Sequence, residues 1–232
     1  MALSLLPAGA EPMTEGQSPA KAIPTKGFYL TGNEEAFDRF PAAPKLNSER
    51  DHTDLLITLS IQASRNDEQI DEAKEDAKYF DGIKAMDHLV DTDFETDYPE
   101  TSKVGQLLKH AGDDGASVMF KLKKRNGRLR PFRQHPGLVV PLFTADDFSY
   151  PSGHASGSEL QARILAELFP DRAALVLNKA RLIADSRVVA GVHYESDIEA
   201  GRYLGDLIFS LLDSNPRFKH DLDVARRELA KK

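Results

Sequence analysis

The chain has no cysteine and no tryptophan. Without thiols, disulfide cross-links, thiolate nucleophiles and cysteine-ligated zinc are excluded. No apolar run approaches the roughly 18 residues that mark a membrane-span candidate. The most apolar late stretch, 203–212, is short and interrupted by Asp206. A surplus of positive charge is missing too. The 232 residues carry a formal net charge of −7, which argues against a binder of nucleic acid polymers, whose surface would show a basic stripe. His52, His88, His110, His135 and His220 lack metal-ligand spacing such as H-E-x-x-H and read as surface or core residues. Among these five, His135 lies nearest the chemistry, because it sits between two of the motifs described below.

Strand signals are also scarce: only 137–141 alternates weakly. Helical periodicity dominates from Ser48 onward. Apolar residues recur at helical spacing over 48–63 and 67–89, and again from a cap at Thr101 or Ser102 through Lys124, ended by Asn126-Gly127. Residues 131–150 read as a loop. A helix starting at Ser152 or Gly153 runs to Phe169 and stops at Pro170; Asp171 caps the next, to about Val189. Another spans 195–212, and Pro216 precedes a terminal helix. The fold class is therefore all-α, a compact multi-helix domain over 28–232. Residues 1–27 form a proline-punctuated leader with little to bury. Within it, Ala2–Ala10 resembles the tail of a secretory signal with an Ala-x-Ala cleavage site. Periplasmic or secreted location is the expectation, with a cytoplasmic leader as the alternative. Amphipathic acidic helices could pair into a homo-oligomer.

Three segments carry the chemistry. Pro151-Ser152-Gly153-His154 precedes a long helix. A helix N-terminus offers unpaired N–H groups and the positive end of the macrodipole, so an anion docks there. Gly153 permits close backbone approach, Ser152 adds a hydroxyl and an N–H, and His154 stands in the first turn. His193 and Asp197 are four apart, a spacing that on one helix face lets a carboxylate fix the imidazole tautomer and free the other nitrogen as nucleophile or base. Arg187 lies six before His193. On one continuous helix the two would diverge by roughly 240°, so a break near Gly191 is expected. Lys123 and Arg130 supply a point charge and a planar fork for phosphate oxygens. Lys121, Lys124, Arg125 and Arg128 read as solvated neighbours. Taken singly, each fragment is as readily a turn, a cap or a surface pair.

The joint pattern, K-x6-R-P, then P-S-G-H, then S-R-x5-H-x3-D, resembles the signature of the type-2 phosphatidic acid phosphatase superfamily, which includes the vanadium-dependent haloperoxidases. The flanks 130–132, 150–156, 186–197 and 214–218 look most like the bacterial class A non-specific acid phosphatases. The resemblance implies an acid phosphatase/haloperoxidase-like helical fold and a phosphoric monoester hydrolase. It implies that His193 is the nucleophile forming a phosphohistidine, Asp197 orients it, and His154 is the general acid and base. Lys123, Arg130, Ser152, Gly153 and Arg187 would bind the phosphoryl oxygens. No metal and no cofactor are implied, and the partners are a small-molecule phosphomonoester and inorganic phosphate. The alternatives are a lipid or diphosphate phosphatase of the same superfamily, a vanadium haloperoxidase, and a non-catalytic helical phosphate-binding protein.

Overall fold

The computed structural model describes residues 13–14, 27–31, 34–80 and 82–231; nearly all of the expected leader, 1–27, lies outside these. The helices are α1 (Glu34–Asp38), α2 (Glu49–Ser64), α3 (Asp67–Asp76), α4 (Ile83–Met86), α5 (Phe94–Asp97), α6 (Lys103–Asn126), α7 (Pro131–Gln134), α8 (Gly153–Leu168), α9 (Ala173–Val189), α10 (Glu195–Asp213) and α11 (Pro216–Leu229). Short 3-10 turns cover Asp87–Leu89 and Pro170–Arg172. Two-residue strands, β1 (Met13–Thr14) and β2 (Phe143–Thr144), pair in parallel.

Local chemistry sets the boundaries. The hydroxyls of Ser48 and Ser102 accept the N–H groups of Asp51 and Gly105 and so cap α2 and α6. Gly127 ends α6 with φ +61° while its N–H returns to the Lys123 carbonyl, a left-handed stop that glycine adopts without a Cβ penalty. Asn215 caps α11 through the N–H groups of Arg217 and Phe218. The helix expected over 67–89 is instead interrupted after α3. Gly82 sits at φ +75°, where a Cβ would come within 2.8 Å of the Ser158 Cβ, so the chain there crosses tightly over α8 rather than continuing as a helix.

The centre is α8, which packs against α9, α10 and α6. Its Leu160, Ile164 and Leu165 are fully buried with Leu107 and Met119 of α6, Val176 of α9, and Leu204 and Ile208 of α10. Residues 28–30 join this core: the buried carboxylate of Asp114 accepts the N–H groups of Phe28, Tyr29 and Leu30 at 2.6, 2.7 and 3.0 Å.

The contact that positions the functional site is α8 on α10. A Cβ on Gly201 would lie 2.7 Å from the Ser152 carbonyl oxygen and 2.7 Å from the Ala155 Cβ. One on Gly205 would lie 2.6 Å from the Ser156 carbonyl. Two bare helix faces thus approach backbone to backbone. The approach sets the Asp197 carbonyl, one turn before Gly201, to accept the Ser152 N–H at 3.0 Å. Gly201→Val should force the helices apart, lower stability by about 1–3 kcal/mol and reduce activity with it. Denaturant unfolding and a phosphatase assay on the same preparation check this; unchanged stability would show that the close approach is not required.

Candidate active site

Five segments converge. The last turn of α6 brings Lys123, and the turn after it Arg128 and Arg130. The loop before α8 brings Asp147 and Ser149. The first turn of α8 brings Ser152, Gly153 and His154. The α9–α10 junction brings Arg187, His193 and Asp197.

The expected break in the last of these is present. α9 ends at Val189 and Gly191 turns the chain at φ +71°. His193 then precedes α10 by two residues instead of sharing a face of it. Asp197 occupies the third helical position, where its Oδ2 accepts the Tyr194 N–H at 2.8 Å. The carboxylate therefore faces backward out of the helix start, toward His193.

His193 is buried. Its Nε2 lies 3.1 Å from Arg130 Nη1. A guanidinium only donates, so Nε2 is the acceptor and Nδ1 carries the proton in the neutral ring. Nδ1 faces Asp197 Oδ2 at 3.5 Å and the Ser149 hydroxyl at 3.3 Å, and that hydroxyl donates to Asp197 Oδ2 at 2.6 Å. The carboxylate thus reaches the imidazole both directly, at long range, and through Ser149. Burial, followed by the charge of Arg130, pulls the His193 pKa down to about 4, against the opposing pull of Asp197. For Asp197, burial pushes upward. The hydrogen bond with His193 and the charge of Arg128 outweigh it and hold the carboxyl well below its ordinary value. Neutral imidazole beside ionised carboxylate is the state that leaves Nε2 a lone pair.

Lys123 and Arg130 meet at Asp147. Lys123 Nζ lies 2.9 Å from Asp147 Oδ2 and donates to the Phe148 carbonyl. Arg130 donates through Nε to the Asp147 carbonyl at 3.1 Å, through Nη2 to Asp147 Oδ1, and through Nη1 to the Val192 carbonyl at 2.9 Å. Burial pushes the Asp147 carboxyl up, but the charges of Lys123 and Arg130 dominate and bring it down to about 2.

Ser152 caps α8, accepting the Ala155 N–H at 3.4 Å, and Gly153 opens the helix. His154 is buried with its ring edge-on to Phe80, centroids 5.5 Å apart. Arg187 is buried at the end of α9. Its guanidinium donates to the Ser186 hydroxyl and to the Ala73 carbonyl at 2.6 Å and lies over the Phe143 ring. Its carbonyl accepts the Val192 N–H at 3.2 Å, which fixes the backbone next to His193. Hydrogen bonds thus tie Lys123, Arg130, His193, Asp197 and the Ser152 backbone into one cluster. Arg187 is anchored instead to α3 through the Ala73 carbonyl, and His154 packs on Phe80.

The solvated reading of Arg128 is wrong. Its side chain is buried, with Nη1 at 2.8 Å from Asp197 Oδ1 and 2.7 Å from the Ser196 hydroxyl, and Nη2 at 3.1 and 2.8 Å from Asp51 and Asp54. The guanidinium also stacks on the Tyr194 ring at 4.1 Å. Asp51 and Asp54 stand on one face of α2, three residues apart, and Asp54 accepts the Ser196 N–H at 3.1 Å. Arg125 stays exposed, as expected, while donating to the carbonyls of Phe37 and Phe40. Ser149, Asp147, Asp51 and Asp54 were also missed. The available signal was an acidic pair spaced for one helix face, matched by an arginine two residues before Arg130.

Residues 114–214 match the model of the PAP2 superfamily, a stretch that contains the whole cluster except Asp51 and Asp54. A non-specific acid phosphatase of Providencia stuartii is 26% identical over 222 residues, covering 92% of this chain and 90% of its own. A non-specific acid phosphatase of Salmonella typhi is 41% identical over 137 residues, covering 57% of this chain and 54% of its own, so the match spans only about half the length of that relative. A bacterial vanadium-dependent iodoperoxidase superposes with a TM-score of 0.60 at 18% identity, over 91% of this chain and 61% of its own, a likeness of fold. The chain carries a PAP2 superfamily domain in an all-α, haloperoxidase-like fold. More particularly, proteins named non-specific acid phosphatase are among the relatives it resembles.

Arg128→Ala should cost about 3–5 kcal/mol, because it leaves three carboxylates facing an emptied position. Activity should fall at least tenfold as Asp197 loses its support. Arg128→Lys should restore part of both. Urea unfolding alongside kcat/KM measures the pair; a neutral Arg128→Ala would show that Asp197 is held without it.

Proposed function

We propose that the chain is a metal-independent acid phosphatase of broad specificity, acting on small phosphomonoesters through a phosphohistidine at His193. The observation that carries this reading is the placement of His193: buried, with its Nε2 beside the Arg130 guanidinium and its Nδ1 backed by the buried Asp197 carboxylate.

The steps follow from charge and geometry. A phosphoryl group entering between Lys123 and Arg130 draws Arg130 Nη1 from His193 Nε2 onto a phosphoryl oxygen. The freed nitrogen attacks phosphorus in line, forming the P–N bond as the P–O ester bond breaks. Protonated His154 gives its proton to the departing alkoxide. Asp197, through Ser149 and directly, steadies the positive charge that develops on the ring. Lys123, Arg130, Arg187, the Ser152 hydroxyl and the Gly153 N–H stabilise the equatorial oxygens, where transition-state charge collects. Water, deprotonated by His154, then attacks phosphorus, breaks the P–N bond and releases inorganic phosphate, restoring neutral His193 and protonated His154.

His193→Ala should lower kcat for p-nitrophenyl phosphate by at least about 10³-fold while the far-UV spectrum is retained. Vanadate, a mimic of five-coordinate phosphorus, should inhibit, and EDTA should not. Retained turnover in the variant would remove His193 from the mechanism, and strong loss on chelation would point to a metal-dependent hydrolase.

The pH profile tests the same assignment separately. As pH falls through about 4, His193 takes up a proton and loses its lone pair. The acid limb of kcat/KM, which reports the free enzyme, should therefore lie near pH 4 rather than near the ordinary imidazole value. Arg130→Gln removes the neighbouring charge that helps depress it and should move that limb upward. A limb near 6.5 in the unaltered enzyme would contradict the neutral, desolvated nucleophile.

A further inference from the structure

Lys123 and Arg130, the two cations of the proposed phosphate cradle, hold an anion that belongs to the chain itself. One oxygen of the Asp147 carboxylate, Oδ2, lies 2.9 Å from Lys123 Nζ, and the other, Oδ1, accepts from Arg130 Nη2. A guanidinium fork fits a carboxylate and a phosphoryl group by the same geometry. Burial pushes this carboxyl upward, but the charges of Lys123 and Arg130 outweigh it and bring it down to about 2. It is therefore charged at any pH where an acid phosphatase would act.

The donors of Arg130 make this carboxylate a competitor. A guanidinium has five N–H groups and accepts nothing. Nε donates to the Asp147 carbonyl at 3.1 Å, and Nη1 lies between the Val192 carbonyl at 2.9 Å and His193 Nε2 at 3.1 Å. Nη2 faces the Asp147 carboxylate. A phosphoryl oxygen that binds this edge of Arg130 together with Lys123 Nζ has to take the place of that carboxylate, because two anions sharing one seat repel.

The carboxylate can leave without dismantling the cradle. Its side chain is 36% exposed, and residues 146–147 form a bend between β2 and α8, so rotation about χ1 carries it to solvent. The neighbouring Asp146 already points outward, paired with Arg133 at 2.8 Å. The backbone on either side is held independently of the carboxylate. The Asp147 and Phe148 carbonyls accept from Arg130 and Lys123, and the Ser149 N–H donates to the Arg128 carbonyl at 2.8 Å. With Asp147 turned outward, Arg130 keeps the carbonyls of Asp147 and Val192, and Lys123 keeps that of Phe148.

We propose that Asp147 is a built-in competitor for the phosphoryl seat. Its carboxylate holds Lys123 and Arg130 at rest, swings out as a phosphate group enters, and returns as inorganic phosphate leaves. It thereby sets the affinity of the site for substrate and for product. The inference rests on the phosphatase reading for which anion enters, and it adds no bond change to that reaction. Apparent affinity is reduced by the fraction of time the seat is open, and the returning carboxylate disfavours product that would otherwise stay bound.

The test is Asp147→Asn, which keeps the shape and removes the charge. Calorimetric titration with inorganic phosphate should give a Kd lower by about tenfold or more than in the unaltered protein, the gain expected from a seat open about a tenth of the time or less. KM for p-nitrophenyl phosphate should fall in parallel. Asp147→Ser stands in should the Asn variant not fold. If Asp147 served only to hold the two cations in place, its loss would weaken phosphate binding instead. Unchanged or weaker binding by the folded variant therefore overturns the inference. Tighter phosphate binding in a protein that turns over no phosphomonoester would uphold it and overturn the phosphatase reading. Phosphate binding by neither the unaltered protein nor the variant overturns both.

Discussion

Asp197 is the point on which the site turns. One oxygen of this fully buried carboxylate accepts from the Ser149 hydroxyl and the Tyr194 N–H and faces His193; the other accepts from Arg128. Its backbone carbonyl takes the N–H of Ser152 at the start of α8. Three separate stretches of chain, at 128, 149–152 and 193–197, thus meet at one residue. An isolated carboxylate at this depth would be neutralised by desolvation. The donors around it keep it charged, and that charge in turn gives His193 a fixed tautomer. The state of the proposed nucleophile is therefore set by packing, and the close approach of α8 to α10 at Gly201 and Gly205 brings the Ser152 N–H onto the Asp197 carbonyl.

Charge in the surrounding layer is balanced locally. Arg128 answers three carboxylates, two of them supplied by α2, and Asp147 answers Lys123 and Arg130. The second arrangement has a mechanistic consequence. With one carboxylate shared between two cations, the proposed phosphate cradle keeps a net positive charge, while Asp147 anchors both side chains. Arg130, positioned this way, rests against His193 Nε2, so the nucleophile is capped until an anion competes for the guanidinium. Water-filled sites lose such contacts to solvent; here burial keeps them short and strong.

How much of this was legible in the sequence follows from range. Caps and breaks are local, and Ser102, Gly127, Gly191 and Asn215 mark their turns where the residue types say they should. The motifs at 123–131, 151–154 and 186–197 could be joined because their residue types and order resemble a known family. Contacts that depend on three-dimensional approach were not legible. Arg128 looked like one more cation in a basic run, since nothing local announces that Asp51 and Asp54, more than seventy residues earlier, will come within 3.1 Å of it. Ser149 and Asp147 fell in a stretch with no period to read. His193 and Asp197 were correctly paired, but by the wrong geometry: the i,i+4 spacing that suggested a shared helix face instead places the carboxylate in the first turn of α10, reaching back past its own N-terminus.

The same distinction bears on substrate choice. On the proposed mechanism the cluster around Asp197 and Asp147 would grip a phosphoryl group alone, so by itself it would not discriminate among alcohols. Discrimination has to come from surface beyond His154, where the charged cluster gives way to the apolar faces of α6 and α8. There the small residues do two different things. Gly201 and Gly205 let α10 seat against α8, where a side chain would collide with backbone. Gly112, Ala116 and Gly157 border a hollow that larger side chains would close. A helix pair optimised for stability alone would fill that hollow with leucine-sized groups. Keeping the space open has a stability cost, because an unfilled hollow forfeits packing contacts.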